Sequence, residues 1–199
     1  MRAHLRPALV LTVLLCALTG FAYPAIVSGL AQLLFPWQAH GSLVRADGRI
    51  VGSALIGQAF TRAEYFHSRP SAAGQGYDGT ASGGTNRGPT DRRLADTLIA
   101  GAVRDAVAED GAVMGEVPSD RATASASGLD PDISPANAEL QVARVAQARN
   151  LSADSVRALV HRHVTGRQFG VLGEPRVNVL LLNLALDSLT RMRRVSFGR

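Results

Sequence analysis

The residues from Ala8 to Phe35, ALVLTVLLCALTGFAYPAIVSGLAQLLF, contain no charged side chain. This run is longer than the ~20 apolar residues that carry a helix across a bilayer core. In hydrocarbon a segment satisfies its own backbone hydrogen bonds, so a lone span there is a helix. Thr12, Gly20, Ser28 and Gln32 are only mildly polar, and Pro24 is expected to kink the helix or end its straight part. At ~1.5 Å per residue the run exceeds a core of ~30 Å. Its far end should emerge at Phe35, Pro36 and Trp37, which suit an interfacial belt. Two other readings stand beside a permanent anchor. A cleaved signal peptide would take Arg2 and Arg6 as its basic start, Leu9 to Leu18 as its centre and Gly20-Phe21-Ala22 as its cleavage site. Against it, the chain stays apolar well past Ala22. A buried core helix rarely runs this far without a polar face.

Arg2, His4 and Arg6 precede the run, and the first arginine after it is Arg45. The positive-inside rule therefore puts residues 1–7 in the cytoplasm and residues 36–190 outside it, with 8–35 as the anchor. The outer part is long enough for one domain with a real core. The net charge of +5 looks basic, but its location matters. Removing Arg2, Arg6 and the tail residues Arg191, Arg193, Arg194 and Arg199 from the 21 basic residues, all arginine, leaves 15 against 16 acids. That near-neutral domain lacks the concentrated basic face of a nucleic-acid binder. The tail, 191–199, could meet membrane lipid but reads as a solvated, mobile end. The lone Cys16 lies inside the apolar run.

Ser42–Ala46 and Arg49–Ile56 read as strands joined by the Asp47-Gly48 hairpin turn. Thr61 is placed to cap a short helical turn. His67 to Thr90 is too rich in Gly, Ser and Pro for a helix or central strand, and is expected to be an ordered loop. Gly74, Gly76 and Gly79 match G-x-G-x-x-G, but mid-loop, without the strand and helix that a dinucleotide site requires. Asp91–Glu109 is a predicted helix capped by Thr90, burying Leu94, Leu98, Ala102, Val103 and Val107. Val113–Val117 reads as a short strand. Ser134-Pro135 is a helix start running to about Arg149 over Ala138, Val142, Val145 and Ala146. Ser152 caps another helix to about Val164. Arg176–Leu189 favours a helix capped by Asn178, although Val177-Asn178-Val179-Leu180 could begin as strand. The fold class is α+β: one transmembrane helix, then a mixed domain with a small hairpin-containing sheet and about four helices.

Catalytic constellations are thin. His67, Asp130, Ser71, Ser125 and Ser127 supply the residue types of a serine hydrolase, but there is no G-x-S-x-G elbow. His161 and His163 lack the neighbours of a metal site. Asp130 and Asp132 could pair for acid–base work, yet Asp130-Pro131 also reads as a turn. Ala17, Gly20, Ala25, Ser28, Gly29 and Gln32 hint at packing against other membrane helices.

The strings Tyr65-Phe66-His67-Ser68-Arg69-Pro70-Ser71-Ala72, Ser82-Gly83-Gly84-Thr85-Asn86, Thr123 through Ser134, Ala138 through Val145, and Val177 through Asp187 strongly resemble the C-subunit family of Kdp potassium-transporting ATPases. Their order and spacing match along almost the whole chain; Ala126, Asp132 and the tail depart from the pattern. The resemblance implies a non-catalytic inner-membrane subunit of a complex that hydrolyses ATP elsewhere to drive potassium uptake. Its implied partners are a channel-like potassium-binding subunit, a P-type ATPase subunit and a small membrane peptide. It also implies a catalytic chaperone for ATP use, with Ser82, Gly83, Gly84 and Gln141 as the positions to compare with nucleotide-contacting motifs. The charge asymmetry argues against direct contact, because it places these residues outside and ATP inside. No cofactor is expected to be held tightly, ATP entering by resemblance only, and no metal. Tyr65, Phe66, Arg69, Pro70, Ser71, Asn86, Thr123, Ser125, Ser127, Gly128, Asp130, Pro131, Asn178 and Asn183 are expected to shape loops or meet partners. The alternative is a stand-alone anchored envelope binding protein or hydrolase.

Overall fold

The computed structural model describes residues 2–197. The chain divides into two compact units, Met1–Leu43 and Val44–Arg199.

In the first unit, α1 (Arg2–Ala17), a π-helical turn (Leu18–Ala22) and α2 (Tyr23–Leu34) run on as one helix. It is the one helix among the described residues long and apolar enough to cross a membrane, His4–Leu34. None of its apolar window is buried, which overturns the core-helix alternative. The helix neither stops nor breaks at Pro24. A proline has no N–H to donate and its ring crowds the carbonyl four residues back, so the preceding turn widens into a π-bulge instead. Phe35 leaves helical geometry, and α3 (Pro36–Ala39) follows.

The expected hairpin follows, β1 (Leu43–Ala46) and β2 (Arg49–Ser53). Asp47 and Gly48 both sit at positive φ, 50° and 78°, as a primed two-residue turn requires. β2 ends at Ser53, three residues early, where Leu55 N–H turns back to the Ser53 hydroxyl. The hairpin forms a sheet of its own. A second sheet is built from β3 (Asp132–Ile133), β4 (Val164–Thr165) and β5 (Arg176–Asn178), with β5 in the centre and both pairings antiparallel. Thr61 starts a turn closed by Tyr65 N–H to Arg62 C=O rather than a helix. Residues 54–91 contain no helix or strand.

A π-helical segment (Arg93–Ile99) leads into α4 (Ala100–Asp110). Asp91, not Thr90, caps it by accepting from Arg93 N–H at 2.8 Å. The expected apolar stripe is only half covered: Leu98 is exposed, and Leu94, Ala102, Val103 and Val107 are intermediate. Val113–Val117 is no strand. Gly115 takes positive φ and Glu116 N–H closes a turn onto Val113 C=O, while α5 (Ser119–Ala122) follows Pro118.

α6 (Pro135–Arg149) starts where Ser134 accepts from Asn137 N–H and ends at Asn150 in the left-handed conformation. Leu151 N–H then bonds Ala146 C=O at 2.9 Å, a Schellman closure. α7 (Ala153–His163) is capped by Ser152. At 176–178 both open alternatives hold in turn. The segment is strand as far as Asn178, whose side-chain oxygen then caps α8 (Val179–Phe197) by accepting from Leu181 N–H. α8 stays helical through 197. Gly198 and Arg199 lie outside the described residues.

The core is the wedge between α6, α7, α8 and the three-stranded sheet. It holds Val142, Val145, Val156, Leu159, Val160, Ile133, Val177, Val179, Leu182 and Leu186, with Phe66 from the long loop fully enclosed among them. Burying a side chain of Phe66's size stabilises by about 1.5–3 kcal/mol. One aromatic plug thus pins an otherwise irregular 38-residue stretch, 54–91, to the helical layer.

Candidate functional site

The motif residues are gathered into two clusters of hydrogen bonds. The first grips Phe66 and His67. Asn183, on the buried face of α8, accepts from Phe66 N–H at 2.9 Å and donates to Phe66 C=O at 3.0 Å. Gln141, on α6, does the same for His67, accepting at 2.7 Å and donating at 3.1 Å. Gln141 also donates to Asn137 and accepts from Arg144, so both ends of its fully buried amide are engaged. Extended backbone pushed into a helical core loses water and gains no ladder partner; the two amides supply what a neighbouring strand would. Tyr65 completes this cluster. Its ring lies against Phe60 and beneath the Arg62 and Arg149 guanidiniums, and its hydroxyl donates to Asp187.

The second cluster zips residues 69–84 to 123–131. The Ser71 hydroxyl donates to Gly128 C=O at 2.6 Å and accepts from Ala73 and Tyr77 N–H. The Ser82 hydroxyl and Gly83 N–H both donate to Ser127 C=O at 2.9 Å. Gly84 lies against the Ala126 backbone. Ser127, itself exposed, caps the turn by accepting from Leu129 N–H, and the buried Ser125 lies 3.4 Å from the Ser127 hydroxyl. Arg69 pairs with Asp130 at 2.9 Å and reaches Thr123 C=O, while the Tyr77 hydroxyl donates to Arg69 C=O. Gly128 sits at φ +67°, and a Cβ there would lie 2.6 Å from Ala73 N, so only glycine lets the loops close. Pro131 C=O accepts from Val179 N–H, and Asn178 donates to Ala54 C=O and Asp132, joining this cluster to α8 and the hairpin. Asn86 stands apart, exposed and at positive φ. Gln141 and the Ser82-Gly83-Gly84 string therefore fall in different clusters.

Sequence reasoning missed the charged groups between these clusters. Asp110 is buried at the C-terminal end of α4, where the helix dipole disfavours an acid. Arg121 meets it at 3.0 Å and Arg144 at 2.6 Å. Arg121 also pairs with Glu109, which lies 3.4 Å from His67 Nδ1, and Arg144 donates to the carbonyls of Ala63 and Tyr65. Burial, then the Arg144 charge, holds the His67 pKa below its ordinary value, against the Arg62 carbonyl and Glu109. Asp110-Gly111 carried only a helix-end signal; no local pattern announces that an acid will be buried between two distant arginines.

A cleft of about 470 Å³ opens beside this network, lined by Phe60, His67, Arg69, Tyr77, Leu98 and Arg121 among others. Arg69, Arg121 and Glu109 in its lining are already held in ion pairs. His67 turns its ring nitrogens to Glu109 and the Arg62 carbonyl, not to a serine, so the hydrolase constellation is not assembled. Asp130 is bound to Arg69, and Asp132, its pKa raised first by burial and then by Asp130, meets Arg176 at 3.1 Å. His163 Nδ1 contacts Leu159 C=O, and no group of three metal-ligating side chains occurs among the described residues.

A membrane-length helix joined to an α+β head, whose motif side chains tie its own loops together, is the architecture of a membrane-associated protein. Residues 5–188 match the family described as KdpC: K+-transporting ATPase, c chain. Proteins named potassium-transporting ATPase KdpC subunit are 66% identical in Gemmatimonas aurantiaca, over 96% of this chain and 95% of the relative. The corresponding protein of Sorangium cellulosum is 59% identical over 94% and 98%. That of Nitratidesulfovibrio vulgaris is 58% identical over 92% and 93%. The chain belongs to the KdpC family, a non-catalytic subunit of the potassium-transporting P-type ATPase.

Proposed function

We propose that this chain braces the assembled potassium-uptake pump from the extracytoplasmic side, with its N-terminus in the cytoplasm. Its neighbours in this reading are the channel-like potassium-binding subunit, the P-type ATPase subunit and the small membrane peptide. The observation that carries it is the engagement of Gln141, Asn183, Ser71, Arg69 and Ser127 in fixing the head's own loops. These bonds make a rigid surface rather than a reactive centre. Its support of ATP use, the chaperone role, then acts at a distance, through the assembled complex. A nucleotide at Gln141 would have to displace two backbone bonds of His67, each leaving a buried group unpaired at about 1–3 kcal/mol. Deleting residues 44–199 is expected to abolish assembled, potassium-stimulated ATPase activity; full activity without the head overturns the reading.

A further inference from the structure

Phe169 is the most exposed large apolar side chain among the described residues, at 93%. It stands at the tip of a tight finger that the charge network does not explain. Gln168 and Leu172 exchange both backbone hydrogen bonds at 2.9 Å, and Val171 N–H closes a turn onto Gln168 C=O at 3.1 Å. At the base, Arg167 grips both carboxylate oxygens of Glu174, at 2.8 and 2.7 Å. The two central turn residues, Phe169 and Gly170, have φ of +53° and +78°. Glycine and asparagine favour that left-handed region; a bulky aromatic there is an outlier, the kind of strain that collects at functional positions. Val171 and Leu172 extend the apolar surface, at 70% and 56% exposed. The finger is thus stiffened from its base and aims a strained phenyl ring at solvent.

We propose that this finger is the head's anchor on another subunit of the same pump. Phe169 enters an uncharged socket walled by aliphatic side chains, and Val171 and Leu172 seal its rim. The proposal rests on the accessory-subunit reading above. A pre-ordered aromatic knob is what a protein pocket rewards, because little rotamer or loop entropy is lost on docking. The charges beside the knob argue against the bilayer as its occupant. Surface-seeking membrane elements set free basic side chains beside their apolar ones. Here Arg167 is closed onto Glu174 and Arg176 onto Asp132. The tip residue is Phe, which lacks the polar handle of the Trp and Tyr found at lipid interfaces.

The test uses the full chain in the assembled pump. With a photoreactive phenylalanine analogue at position 169, illumination in membranes is expected to yield an adduct with another pump subunit; adducts with lipid alone, or none, overturn the proposal. Phe169→Gly removes the ring and relieves the positive φ. It is expected to leave the melting temperature of the chain in detergent unchanged or higher, while the fraction retained on the washed pump falls about tenfold or more. Full retention, or a lowered melting temperature, overturns it. If the unaltered chain itself fails to co-purify with the pump, the accessory-subunit reading falls, and this proposal with it.

Discussion

Asn183 holds both the N–H and the C=O of Phe66 with one side chain, at 2.9 and 3.0 Å. Its removal leaves two buried backbone groups without partners, at about 1–3 kcal/mol each. Asn183→Ala is therefore expected to lower stability by about 2–4 kcal/mol in urea unfolding of the detergent-solubilised chain followed by circular dichroism. Asn183→Leu, which refills the space but not the bonds, should do nearly the same harm; recovery in the leucine variant would assign the loss to packing instead. His67 makes a pH prediction. Burial first, then Arg144, depresses its folded pKa, so as pH falls the unfolded chain takes up the proton before the folded one. Stability is then fully present above about pH 6.5 and declines below it toward the folded pKa. Melting curves at about pH 7.5 and about pH 5.5 should diverge less for His67→Gln than for the native residue; equal divergence removes His67 as the cause.

At the scale of elements, α6 carries the clearest terminus. Ser134 accepts from Asn137 N–H, and Asp120 holds Ser134 N–H, the Ser134 hydroxyl and the Asn137 amide together. Ser134→Ala is expected to cost about 1 kcal/mol, read as a lower melting temperature, and no change would deny the cap any energetic role. The elements with chemical punctuation were legible in the sequence: Ser134-Pro135 for α6, Ser152 for α7, Asp47-Gly48 for the hairpin. Those without it were not. β3 and β4 are two residues long and owe their existence to β5 between them, which lies far along the chain from β3 and reaches β4 only across the loop 166–175. Val113–Val117 has strand composition, but no edge reaches it and Gly115 turns it back. The motif residues were visible as a set, and their sorting into an amide grip and a loop zipper was not, because both depend on which loop meets which helix. The Asp110 network left no trace at all in local spacing.

For the whole molecule, the proposed sidedness of the head rests on flanking charge alone and has a direct readout. Met114, 72% exposed, suits a reporter cysteine in a Cys16→Ser background, whereas Ser125 is buried and does not. Met114→Cys is expected to react with a membrane-impermeant maleimide in intact spheroplasts; reaction only after lysis would place the head in the cytosol. The division at Leu43 and Val44 was close to where the apolar run ended, because an uncharged stretch constrains structure more tightly than any motif in this chain. In the helix around that stretch, the π-turn at Leu18–Ala22 and Pro24 together loosen the ladder at mid-length, and Pro7 removes one bond nearer the start. A rod of this kind has a knuckle at mid-length. Sideways load bends that joint first, so in the bracing role proposed above the tether yields before the head is worked loose.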